Sequence, residues 1–139
     1  MENNVNKTFI IRNEVEELNR VVAFLEQLAE EWQLPANTIH SIHLVLEEAL
    51  SNVILYAYEK GSTHEIRIDV NYTDHQLGIT ITDTGRPFDP TQQKEPDIHI
   101  PAEERPIGGL GIFLIRKIMD EVSYQRSGQE NILRMTKKI

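Results

Sequence analysis

Apolar residues return along this chain in two rhythms. Between 13 and 59 they recur every three or four positions, the period of amphipathic helices. Between 65 and 82 they alternate, the period of strands with one buried face. The first helix is predicted over 13–32, with Val15, Leu18, Val22, Leu25 and Ala29 as its core stripe. Asn13 followed by Glu16 has the form of a capping box, and Leu34-Pro35 ends the helix. A second helix is predicted from Asn37 or Thr38 to about Glu59, with Ile39, Ile42, Leu46, Ala49, Leu50, Val53 and Ala57 inward and Gly61 as its C-terminal cap. Residues 65–72 and 76–82 read as strands, carrying Ile66, Ile68 and Val70 on one face and Leu77, Ile79 and Ile81 on the other strand's matching face. The short Thr73-Asp74-His75 link makes them an antiparallel hairpin. A β-like run at 8–12 precedes all of this.

The rhythm stops at Gly85. From there to Ile107 no period is visible, and the stretch holds five of the chain's six prolines. A structureless segment of that length in a compact domain points to a functional loop or to disorder. Gly108-Gly109-Leu110-Gly111 then opens a third helix at about 110–119, and 122–126 and 132–137 read as final strands around Ser127-Gly128. The order β-α-α-β-β-loop-α-β-β predicts an α+β fold: a two-layer sandwich in which helices cover one face of a mixed, mostly antiparallel sheet.

Composition narrows the chemistry. The 139 residues suit one domain spanning 1–139, and 40% hydrophobic with 26% charged is the balance of a globular chain. A net charge of −8 argues against nucleic acid as a partner, since phosphate contacts need a basic surface. The absence of cysteine excludes disulfides, thiolate metal sites and a cysteine nucleophile. The five histidines show no clustered spacing that would suggest zinc. A polar start (1–7), without an apolar signal region, and no apolar run near the ~20 residues of a membrane span lead us to expect a cytoplasmic protein without a membrane partner.

Three sites carry candidate chemistry. Glu48 and Asn52 lie one turn apart on the second helix and share a face with Leu44, Val45, Leu55 and Tyr56. An Asn oxygen suits Mg²⁺ beside phosphate oxygens, and a Glu one turn earlier can orient or deprotonate a nucleophile; the plainer reading is a solvated polar face. Asp83 is in phase with Leu77, Ile79 and Ile81, so it should point to the core side, where a carboxylate needs hydrogen-bond donors and offers an acceptor to adenine's amine. Otherwise Asp83-Thr84-Gly85 is a surface turn. The glycines at 108, 109 and 111 put exposed backbone N–H groups at a helix start, which attracts phosphate; the alternative is a hinge. The glycines are not a P-loop or a dinucleotide fingerprint, because no Gly-Lys-Ser/Thr follows and no strand immediately precedes.

On these residues the chain resembles the GHKL ATPases over 9–138. Glu48-Ala49-Leu50-Ser51-Asn52 is similar to their N box, Asp83-Thr84-Gly85 to the first glycine box, and 108–115 (GGLGIFLI) to the second. The nearest likeness is to bacterial anti-sigma serine kinases, carried also by Phe88-Asp89, Met119-Asp120-Glu121-Val122 and Met135-Thr136-Lys137. The resemblance implies the Bergerat ATP-binding fold, with ATP and Mg²⁺ as cofactors. It makes Glu48 the catalytic base, Asn52 the Mg²⁺ ligand and Asp83 the adenine contact. Gly85 then shapes the adenine pocket, Gly108, Gly109, Leu110 and Gly111 meet the phosphates, and 86–107 is the ATP lid, from which Arg105 could reach the γ-phosphate. Pro87 stands where the wider superfamily has a second glycine.

Four functions follow from the resemblance. The first is a serine/threonine kinase that phosphorylates an anti-anti-sigma (STAS-type) partner and also holds a sigma factor. The second is a kinase of a STAS partner without sigma binding. The third is a nucleotide-dependent binding module without catalysis, which has no need of Glu48. The fourth, the ATP domain of a histidine kinase, is disfavoured because no helical phosphoacceptor module fits before Thr8. The resemblance also allows a homodimer.

Overall fold

A computed structural model describes residues 5–87, 89–92 and 109–139. Five strands form one open sheet in the order β1-β2-β3-β5-β4, where β1 is Val5–Arg12, β2 Glu65–Thr73, β3 Gln76–Asp83, β4 Glu121–Ser127 and β5 Glu130–Lys138. All four pairings are antiparallel, so among the described residues the sheet contains none of the parallel pairing that a mixed sheet would have. The alternation in the sequence translates directly into burial. Ile66, Ile68, Val70, Leu77, Ile79, Ile81, Leu133 and Met135 are buried in the core, and the residues between them are more exposed, except Gly78, which is covered by the Asn71 side chain. The β2–β3 hairpin turns through Asp74 and His75, both with positive φ (52° and 61°), the backbone that matches the twist of a two-residue hairpin.

Three helices lie on the inner face: α1 (Leu18–Trp32), α2 (Ala36–Asn52) and α3 (Gly109–Ile118). α2 packs on both α1 and α3. Ile42, Val45, Leu46 and Leu50 on α2 are wholly buried and meet the sheet's apolar rows in one core.

Two local expectations are corrected. Asn13 does not cap α1, which begins as a 3-10 turn at Val15–Glu17 with no side-chain cap. Instead the Asn13 side chain donates to the Ser62 carbonyl (2.9 Å) and accepts from the His64 N–H (2.7 Å), tying β1's exit to β2's entry. The neighbouring carboxylate in use is that of Glu17 rather than Glu16. It accepts the Arg12 N–H (2.9 Å) and is bonded by Arg20, and these contacts, that to Arg12 first, hold it below the usual glutamate range. The tight first turn also breaks the phase assumed for the stripe. Val15 is 55% exposed, and the buried row runs through Val21, Leu25 and Leu28, flanked by half-buried Leu18 and Trp32.

The second helix is likewise shorter than expected. After Asn52 the chain makes a π turn, Val53–Ala57. The wider turn changes the phase, so Ile54 and Ala57 are buried while Leu55 and Tyr56 are exposed. Gly61 adopts a positive φ of 91° in the connection to β2. Among the described residues no helix is long and apolar enough to cross a membrane.

Candidate functional site

The last turn of α2, the π turn, the end of β3 and the inner face of α3 enclose one cleft. Ala49, Val53, Ala57, Ile81, Ile115 and Leu133 form its apolar walls, and Asn52, Asp83, Tyr124 and Asn131 bring its polar groups. Two glycines allow the elements to meet so closely. A methyl at Gly111 would lie 2.8 Å from Glu48 Oε2 and 3.6 Å from Asn52 Nδ2, so α3 lands on the two polar residues that share a face of α2. A methyl at Gly85 would lie 2.5 Å from both Cβ and the carbonyl oxygen of Ala57. That same carbonyl accepts the Arg86 N–H (2.9 Å), so the chain leaving β3 is joined to the π turn, backbone to backbone.

Asp83 ends β3 on its core side and is 5% exposed, as its phase predicts. Its Oδ1 accepts from the Gly85 N–H (2.8 Å) and from Asn131 Nδ2 (2.9 Å). These bonds satisfy the buried carboxylate, and both fall on one oxygen, so among the described residues Oδ2 is the oxygen left for a donor in the cleft. On the other side of the turn, the Tyr58 hydroxyl accepts the Thr84 N–H (2.9 Å).

Asn131 is the residue that the sequence reasoning passed over. It pairs with Asp83 across β3 and β5 and is 5% exposed. Its Nδ2 also donates to the carbonyl of Arg86 (2.9 Å), with a longer contact to that of Gly85 (3.4 Å). Its Oδ1 accepts from Arg126 Nη1 (3.1 Å) and from the Tyr124 hydroxyl. Arg126 Nη1 donates as well to the Gly85 carbonyl (2.7 Å). The signal for Asn131 was present in the sequence: it alternates in phase with Leu133 and Met135, a polar side chain on a core face, the same signature as Asp83.

The fold therefore brings together Glu48, Asn52, Asp83, Gly85 and Gly111. Gly109 and Leu110 are the first two residues of α3, so their backbone contributes to its N-terminus. Gly108 and Arg105 lie outside the described residues, as does most of the segment 86–107. Within that segment Pro90–Gln92 forms a single 3-10 turn whose Pro90 lines the cleft, and Arg116 on α3 donates to the Thr91 carbonyl.

Chemically, the cleft has apolar walls with a carboxylate acceptor at its floor. At its other end are a helix start suited to anions, an amide oxygen suited to a hard cation, and a carboxylate able to take a proton. Among the described residues no three His, Cys, Asp or Glu side chains cluster to hold a metal. A cation at Asn52 would therefore draw its other ligands from phosphate and water, the habit of Mg²⁺.

Comparison with known proteins places the chain in a family. The sequence pattern of the histidine kinase-like ATPase domain matches residues 11–137. The serine/threonine-protein kinase BtrW of Bordetella bronchiseptica is 30% identical over 113 residues, covering 81% of this chain and 80% of that protein. The serine-protein kinase RsbW of Bacillus cereus is 32% identical over 105 residues, covering 73% of this chain and 64% of its own. That of Listeria monocytogenes is 31% identical over 88 residues, 60% of this chain and 56% of its own. The match thus spans most of BtrW and somewhat over half of the RsbW proteins. In structure, the histidine kinase domain of the blue-light activated kinase EL346 of Erythrobacter litoralis superposes with a TM-score of 0.54 at 17% identity, covering 89% of this chain and 60% of that one, which speaks for the fold alone. The chain belongs to the family of histidine kinase-like ATPase domains, and ATP is the nucleotide that this membership implies.

Proposed function

We propose that this protein is an ATP-dependent serine/threonine kinase that phosphorylates a STAS-type anti-anti-sigma partner. The observation that carries the reading is the meeting of Glu48 and Asn52 with Gly111 at the start of α3, beside a cleft floored by Asp83. A protein that only bound a nucleotide would need the slot and the helix start, but not a glutamate at the phosphate end. The kinase names of BtrW and RsbW support the same reading.

In this reading adenine enters the apolar slot with its amine on Asp83, and Gly85 leaves room for the ring. The backbone of Gly108, Gly109, Leu110 and Gly111 receives the phosphates, with Arg105 as a further γ-phosphate contact. Asn52 holds Mg²⁺, which neutralises charge on the phosphate oxygens when bound. Glu48 orients the partner's serine hydroxyl and accepts its proton, the hydroxyl oxygen bonds to the γ-phosphorus, and ADP leaves. Phosphoryl transfer depends chiefly on positioning and charge stabilisation, so the base is expected to contribute at the modest end of its range. The resemblance to anti-sigma kinases extends the proposal to a sigma factor as second partner and to a homodimeric state.

The test is transfer of labelled phosphate from ATP to a STAS protein. Glu48→Gln keeps the shape and removes the proton acceptor, so it should bind MgATP normally yet transfer at least ~100-fold more slowly. If wild type and variant both bind ATP and neither phosphorylates any STAS candidate, the protein is a nucleotide-gated binder. Equal transfer by both would keep the kinase and remove Glu48 as its base.

A further inference from the structure

A carboxylate in a purine slot is not by itself selective for adenine. Adenine offers one donor at this edge, its exocyclic amine. Guanine offers two side by side, its ring N1–H and its exocyclic amine, and a carboxylate with both oxygens free would accept the pair. Selectivity then depends on how many acceptor positions of Asp83 remain open.

The Gly85 N–H and Asn131 Nδ2 both bond to Asp83 Oδ1, at 2.8 and 2.9 Å. A carboxylate oxygen has about two lone-pair positions, so these two donors fill Oδ1. The Asn131 amide cannot turn round to undo this. Its other end faces Arg126 Nη1, at 3.1 Å, and the Tyr124 hydroxyl. Arginine has only donors, so the atom facing it must be the amide oxygen. The nitrogen end faces only acceptors: the Asp83 carboxylate and the carbonyls of Gly85 and Arg86. Arg126 and Tyr124 thus fix the amide, and the amide fixes Asp83 with one oxygen occupied and one presented.

We propose that Asn131, held by Arg126 and Tyr124, is the positioning residue that closes one oxygen of Asp83 and so makes this cleft select adenine over guanine. The inference rests on reading the cleft as a purine-nucleotide site. It adds that selectivity resides on β4 and β5, outside the three sequence boxes. The bonds to the Gly85 and Arg86 carbonyls also tie Asn131 to the first residues after β3.

The experiment compares ATP and GTP affinity by calorimetry with Mg²⁺, using the full chain as wild type, Asn131→Ala, Asn131→Ser and Arg126→Gln. Wild type should prefer ATP. Asn131→Ala reopens a lone pair on Oδ1, so the GTP-to-ATP Kd ratio should fall at least about tenfold, a difference of ~1.4 kcal/mol. Asn131→Ser restores one donor and should recover much of the ratio. Arg126→Gln should fall between wild type and Asn131→Ala, and it also covers the case in which the alanine variant fails to fold. A purely structural role would weaken both nucleotides alike and leave the ratio unchanged in every variant, and that result would overturn the inference while leaving the nucleotide site standing. Wild type that binds neither nucleotide would overturn both.

Discussion

The two ends of the cleft are built in opposite ways. At the base end, Asp83 and Asn131 face each other across adjacent strands, each 5% exposed, and are joined to Tyr124, Arg126 and the backbone of residues 85 and 86 by a closed set of bonds. At the phosphate end, Glu48 and Asn52 are half-buried on one helix, opposite the start of another, and their side chains have no hydrogen-bond partner among the described residues. Strand pairing fixes the first end before any ligand arrives. In the proposed function the partners of these groups are a cation, phosphate and a nucleophile, so what binds would complete their bonding. In the proposed kinase a base that is the same in every turnover suits a preformed site.

That contrast can be tested by substitutions at each end. The largest effect is expected from Asn52→Ala. Loss of an outer-sphere partner already costs a metal site 10–100-fold, so loss of a direct ligand should cost at least ~100-fold in the Mg²⁺-linked part of ATP affinity, measured by titrating ATP with and without the metal. Unchanged Mg²⁺ dependence would move the cation elsewhere. Asp83→Asn comes next. It sets a donor against adenine's amine, and an unmatched buried pair costs ~1–3 kcal/mol, or about five- to 150-fold in ATP affinity.

The two glycines give the finest comparison. Gly85→Ala drives a methyl into the backbone of Ala57, which cannot move without the π turn and the Arg86 bond. The fold should lose about 1–3 kcal/mol, read as a lower melting temperature of the nucleotide-free protein. The one tight contact of Gly111→Ala is with the far end of the Glu48 side chain (2.8 Å), while Asn52 Nδ2 (3.6 Å) and Glu48 Cβ (3.7 Å) lie at ordinary contact distance. Replacing a helical glycine by alanine is worth roughly 0.5–1 kcal/mol, so the melting temperature should hold or rise slightly while phosphate transfer falls as Glu48 is displaced. Equal destabilisation at both positions would erase the distinction between a backbone-locked end and a side-chain end.

The same distinction decides what was legible in the sequence. Asp83 was placed correctly because a strand's period is 2 and leaves no ambiguity about its face. Asn131 has the same signature on β5, but the strand predicted there starts at Ile132 and leaves Asn131 outside it, whereas the observed strand begins at Glu130. The α1 stripe was misread at its start because a 3-10 turn advances the chain differently from the α-helix that follows. Asn13 has the composition of a cap, yet its side chain bonds to Ser62 and His64, some fifty residues away in sequence.

By itself the sequence determined the elements whose periodicity is strong, the two-layer plan, and the candidate residues for the proposed site, because those depend on local pattern and residue type. Only the tertiary structure decided that the sheet's described pairings are all antiparallel, that α2 gives way to a π turn after Asn52, and that Gly111 rests on Glu48. It also decided that the Gly85 N–H and an Asn131 held by Arg126 both bond to one oxygen of Asp83. These features depend on contacts between residues far apart in the chain, and such contacts form only when packing of the whole core fixes the distance between elements.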